Sequence, residues 1–178
     1  MWLKLNLDGI ILSLQIRNYI KVSDDDWGST WCKTDFSFCS EPWLNYHKTN
    51  DEVFLASEID DLAHMLKDLL DGSLTESIEF NCIEPDFNFF FHPKYDVRND
   101  PKVVYVKPGH EIADIDMEWR VSFWNGGGLT ANYLSVTLNR DDIENLFLYL
   151  QLVMSKVSEN DPAVVQRIKD NIIYANQG

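Results

Sequence analysis

Asp114-Ile115-Asp116-Met117-Glu118-Trp119-Arg120-Val121-Ser122-Phe123 alternates polar and apolar side chains without a break. A strand sends successive side chains to opposite faces, so this stretch reads as a half-buried β-strand. Its apolar face carries Ile115, Met117, Trp119, Val121 and Phe123; its wet face carries Asp114, Asp116, Glu118 and Arg120. Asn125-Gly126-Gly127-Gly128 then turns the chain, and Leu134, Val136 and Leu138 alternate with Ser135 and Thr137. Strand, glycine turn and strand make a hairpin, and hairpins imply antiparallel pairing.

Working outward, the same pattern opens the chain. Leu3, Leu5 and Leu7 alternate with Lys4 and Asn6, and Leu12, Leu14 and Ile16 alternate with Ser13, Gln15 and Arg17. Asp8-Gly9 between them supplies the positive φ angles of a tight turn. Further strands are expected at 31–38, within 43–55, at 77–83, around 87–91 and at 102–106. Helical spacing appears first at 57–71, where Ile59, Leu62, Ala63, Leu66, Leu69 and Leu70 share a face. Ser57 with Asp60 offers a capping-box-like start, and Gly72 suits the position after the end. A second helix is expected at 140–157, capped by Asn139, with Ile143, Leu146, Phe147, Leu150, Val153, Met154 and Val157 as its stripe. Asp161-Pro162 starts a third, expected at 162–174. The fold class is therefore α+β: an antiparallel sheet or pair of sheets built from hairpins, packed by two main helices and a C-terminal third. With 178 residues, near the ~150 of an average domain, the chain reads as a single domain, 1–178, with 161–178 a peripheral helix.

Charge narrows the function. Fifteen Lys/Arg against 29 Asp/Glu give −14. Such a chain repels nucleic acid and anionic membranes and complements a basic partner. Three cysteines, Cys32, Cys39 and Cys82, leave an odd thiol and form no zinc-type spacing, which points to reduced thiols and a cytoplasmic setting. Residues 1–20 are apolar, but Lys4, Asn6, Asp8 and Gln15 interrupt them and no small-residue cleavage site follows. The apolar run 146–154 is too short to span a bilayer.

Catalytic patterns are weak. His110-Glu111-Ile112-Ala113-Asp114 lacks the second histidine of the H-E-x-x-H zinc motif. Cys82, Glu84, Asp86 and His92 give no tetrahedral ligand set from their spacing, and Asp24-Asp25-Asp26 lacks the alternating oxygens of a calcium loop. The triple glycine is followed by no Lys-Ser/Thr, so it does not form a phosphate loop. No metal, no cofactor and no catalytic residue is expected. The most informative segment pairs carboxylates with aromatics: Asp24, Asp25, Asp26 and Trp27, followed by Trp31. Aromatic anchors bury area while charges steer a partner. With Asp114, Asp116 and Glu118 these residues are the candidate partner-binding set. A small-molecule- or peptide-binding domain and a hydrolase using an acid pair are the alternatives.

Taken in order, several segments resemble the WapI-type immunity proteins of bacterial contact-dependent toxin systems. A D-x-D-W-like loop is matched by Asp24-Asp25-Asp26-Trp27. The L-T-x-x-E-L-like entry to a helix is matched by Phe54-Leu55-Ala56-Ser57-Glu58-Ile59-Asp60-Asp61-Leu62. A Phe-x-Glu-Pro-type turn with alternating aromatics is matched by Phe80-Asn81-Cys82-Ile83-Glu84-Pro85-Asp86-Phe87-Asn88-Phe89, and a late strand and helix by 134–150. The resemblance runs from Leu3 to Met154; the third helix falls outside it, and 43–50 looks inserted. It implies a cytoplasmic antitoxin that binds and occludes a basic toxin domain, such as a nuclease, without turning anything over.

Overall fold

The computed structural model describes residues 1–21 and 30–175, so Asp24, Asp25, Asp26 and Trp27 lie outside the described residues. The elements run β1 (Trp2–Leu7), β2 (Ile10–Arg17), β3 (Trp31–Ser40), β4 (Leu44–Leu55), α1 (Ala56–Asp71), β5 (Ile78–Asn81), β6 (Phe87–His92), β7 (Tyr95–Asp96), β8 (Ile112–Ala113), β9 (Asp116–Asn125), β10 (Gly128–Leu138), α2 (Arg140–Val153), α3 (Pro162–Lys169) and β11 (Ile173–Tyr174). This is the expected α+β class, and every strand pair is antiparallel.

Two sheets share the core. One has the order β11-β1-β2-β3-β4, the other β10-β9-β6-β5. The turns follow from their residues: Asp8 and Gly9 sit at φ 51° and 88°, and Gly126 and Gly127 at φ 61° and 82°, all left-handed conformations that favour these residue types. The inner faces meet through rings. Phe36 packs on Phe87 at 4.8 Å and Phe38 on Trp119 at 5.8 Å, edge to face, the arrangement ring quadrupoles prefer. Ile59, Leu62, Leu66 and Leu69 of α1 and Ile143, Leu146 and Leu150 of α2 are buried in the same cluster.

Three helix boundaries and one expected strand depart from the sequence reading. The start of α1 is not capped by Ser57. Leu55 occupies the cap position, and its N–H donates to the Glu58 carboxylate at 2.8 Å. The second helix stops at Val153 rather than 157, because Ser155 turns left-handed (φ 57°) and Lys156 N–H closes onto the Gln151 carbonyl at 2.9 Å. The third helix stops at Lys169 rather than 174. Asn171 turns left-handed (φ 58°), which frees Ile173 and Tyr174 to pair with Leu3 and Trp2 as an edge strand. The strand expected at 102–106 does not form; those residues belong to a long excursion between β6 and β9, where β7 and β8 pair only with each other.

Candidate functional site: the acidic surfaces

Period two places Asp116, Glu118 and Arg120 on the outer face of β9, opposite the buried Met117, Trp119 and Val121. The structure brings cations of the chain itself to that face. Arg120 Nη2 lies 3.1 Å from Glu118 Oε1, and the Ser135 hydroxyl donates to the same oxygen at 2.5 Å. These contacts, Ser135 first, hold the Glu118 pKa below the ordinary glutamate value. The Arg120 guanidinium sits between two rings, 4.5 Å from Phe90 and 4.6 Å from Tyr133. Asp116 is half-buried beside His92, and burial raises its pKa. Asp114 lies ahead of the strand and pairs with Arg140 at the start of α2 at 2.6 Å, which holds its carboxyl well below the usual range. The three carboxylates therefore do not form one bare acidic row. Two are neutralised locally, and the third is partly withdrawn from water.

A second acidic surface, not singled out from the sequence, surrounds the start of α1. Glu58 is buried there and accepts two backbone N–H groups, Leu55 at 2.8 Å and Ile83 at 2.6 Å. Its pKa is raised, first by burial and then by the nearby charges of Asp61 and Glu84 against the pull of those two N–H donors. Beside it Asp60 accepts the Tyr19 hydroxyl at 2.7 Å and the Lys156 ammonium at 3.3 Å. Two isoleucines stand exposed in this region, Ile83 at 68% and Ile20 at 59%. The chain leaves the described structure at Lys21, two residues after Tyr19. It returns at Thr30, whose carbonyl accepts the first helical N–H, Ala56, at 3.0 Å. Apolar side chains ringed by carboxylates are the composition of a protein-contact surface. The signal that could have located it was the buried Glu58, whose type and position one turn into a helix mark a carboxylate tied to backbone rather than to solvent.

The remaining chemistry is sparse. Among the described residues no group of three His, Cys, Asp or Glu side chains is placed to hold a metal ion. His110 and Glu111 follow a turn at Pro108-Gly109, with Gly109 N–H on the Glu111 carboxylate at 2.9 Å. An open groove of about 250 Å³ runs between α1 and α2, past His64, Lys67, Phe147 and Gln151. No helix among the described residues is long and apolar enough to cross a membrane.

The family model described as the immunity protein WapI-like family matches residues 3–157. The chain belongs to the WapI-like immunity protein family. The match spans β1 to β10, α1 and α2, and includes 43–50; residues 158–178, with α3 and β11, lie beyond it. Membership of a WapI-like immunity family makes a toxin the partner. No curated protein and no solved structure matches the chain.

Proposed function

We propose that the chain neutralises a cognate toxin domain by stoichiometric binding, without turnover, and that an acidic surface covers a cationic active site. The observation that carries this reading is the family match over residues 3–157 on a chain of net charge −14. A toxin that acts on a polyanion such as nucleic acid needs a cationic site. An acidic protein surface speeds encounter with such a site and excludes its substrate once seated. The surface at the start of α1, with Asp61, Glu84 and Ile83, is the stronger contact region. Asp60 there pairs with Lys156, but Asp61 and Glu84 form no ion pair among the described residues, whereas Asp114 and Glu118 do. Asp24, Asp25, Asp26 and Trp27 belong to the same proposal on sequence grounds. The reading places the protein in the cytoplasm, where its toxin acts.

Co-expression with the neighbouring toxin domain tests it. Rescue of growth and a 1:1 complex that abolishes toxin activity are expected. Toxicity unaffected by the chain, with no complex, would overturn the reading.

A further inference from the structure

Between β6 and β9 the chain leaves the four-stranded sheet over residues 93–113 and makes an arm of its own. Loops longer than about 12–15 residues are uncommon inside a domain and usually functional. The arm is ordered from within. β7 and β8 pair, Val97 N–H donates to the Glu111 carbonyl at 2.8 Å, and Asp96 binds Arg98 at 2.5 Å. Asp100 accepts the Lys102 N–H at 2.9 Å. None of this uses the tip. Val104 is 100% exposed and Tyr105 76%, and with Tyr95 and Ile112 the arm holds four of the ten large apolar side chains exposed among the described residues. Leaving that much apolar surface in water on one projection is unfavourable unless it is covered in use. The arm also departs from the acidity of the chain as a whole. Lys94, Arg98, Lys102 and Lys107 against Asp96, Asp100 and Glu111 give +1, while the rest of the chain carries −15.

We propose that this arm is a second docking element for the toxin, with Val104 and Tyr105 seated in an apolar pocket on the toxin whose rim presents carboxylates to Lys102 and Lys107. The proposal rests on the immunity reading above and adds a contact of opposite charge to the acidic surface. A basic toxin meets the acidic surface at its cationic site, and the arm reaches a part of the toxin where acidic groups gather. A second copy of this chain is a poorer occupant, because docking it would press two chains of −14 together. The two contacts divide the kinetics: exposed charge sets the on-rate, and a buried aromatic anchor sets the off-rate.

The test uses the full chain and, as probe, the catalytically disabled C-terminal domain of the toxin encoded beside it. Association and dissociation rates are measured for wild type and for the double variant Val104→Ser, Tyr105→Ser. Both side chains are solvent-exposed, so the variant should keep its urea midpoint. The off-rate is expected to rise about thirty-fold or more, the loss of one hot spot, with the on-rate nearly unchanged. Wild-type binding with the same off-rate in the variant would overturn the arm and leave the immunity reading standing. No binding by wild type would overturn both. A wild-type dimer that the variant turns into a monomer, with toxin binding unaltered, would assign the arm to self-association and overturn the proposal.

Discussion

Lys48 on β4 donates to Asp86, in the turn before β6, at 2.6 Å, and the two side chains are only 19% and 3% exposed. The pair links the two sheets at a point where both charges are largely out of water. Lys48 also reaches Asp51 at 2.9 Å and lies 4.9 Å from the Trp124 ring. Burial opposes the charge on Lys48, but the hydrogen bonds to Asp86 and Asp51 outweigh it and hold its pKa above the usual lysine value. Removing one partner of a buried pair leaves the other charge uncompensated, at a cost of about 3–5 kcal/mol. Lys48→Met strands Asp86 and should approach that range. Asp86→Asn leaves Lys48 with Asp51 and should cost about half as much. Urea unfolding of both variants checks the order, and equal losses would show that Asp51 gives Lys48 no support.

Glu58 sets a pH dependence. Its folded pKa is raised, so between the ordinary glutamate value of about 4.3 and the folded value the native state binds more protons than the unfolded one. Its contribution is fully present below the unfolded pKa and is lost as pH rises through the folded pKa. Glu58→Gln removes the titration and turns an amide N–H₂ against one of two backbone donors, a loss of about 1–3 kcal/mol. The stability gap between wild type and variant should narrow as pH rises from about 4.3 through the raised folded value. A gap that widens over that window would reverse the assigned direction.

Tyr149 joins α2 to the first sheet by one atom. The Ile16 N–H donates to its hydroxyl oxygen at 2.8 Å, and the ring is fully buried. Tyr149→Phe keeps the ring and orphans the N–H, so we expect a loss of about 1–3 kcal/mol without change of fold. Thermal unfolding with a superimposable circular dichroism spectrum checks it.

All three cysteines are free thiols: Cys32 and Cys82 are buried, and Cys39 is partly exposed. Burial pushes the Cys32 thiol up to about 11 and drives Cys82 higher still. Thiolate is the reactive form. Titration with a thiol reagent should therefore find one fast group in native protein, Cys39, and three in denatured, unreduced protein. A single thiol after denaturation would mean a disulfide.

Residues 161–178 are expected to add stability to a core that still folds cooperatively without them. Val164 and Ile173 are fully buried, and Ile173 pairs with Leu3 at the sheet edge. Burying a side chain of this kind is worth about 1.5–3 kcal/mol, so deletion of 161–178 should remove several kcal/mol and expose β1 as a free edge. Cooperative unfolding should survive, and its disappearance would make the segment integral to the domain.

The alternation at 114–123, the Asp8-Gly9 and glycine turns, the leucine stripes of α1 and α2 and the order of motifs from Leu3 to Met154 were legible in the sequence. Each depends on residues a few positions apart, and periodicity and turn chemistry act at that range. What happens between distant residues was not legible. The run at 102–106 has the β-branched composition of a strand, but a strand exists only where a partner pairs with it, and the tertiary fold provides none there. Asn171 permitted Ile173 and Tyr174 to leave the helix, and the open edge of β1 made leaving favourable. Asp114, Asp116 and Glu118 were readable as one acidic row, yet Arg140 and Ser135 arrive from other elements and, with Arg120 of the same strand, consume two of the three charges. The acidic surface at the start of α1 depends on Glu58 reaching Ile83, 25 positions away. Local sequence determined the elements and the family. Tertiary packing decided which carboxylates remain free to meet a partner, because a charge is available only if nothing folded against it has already paired with it.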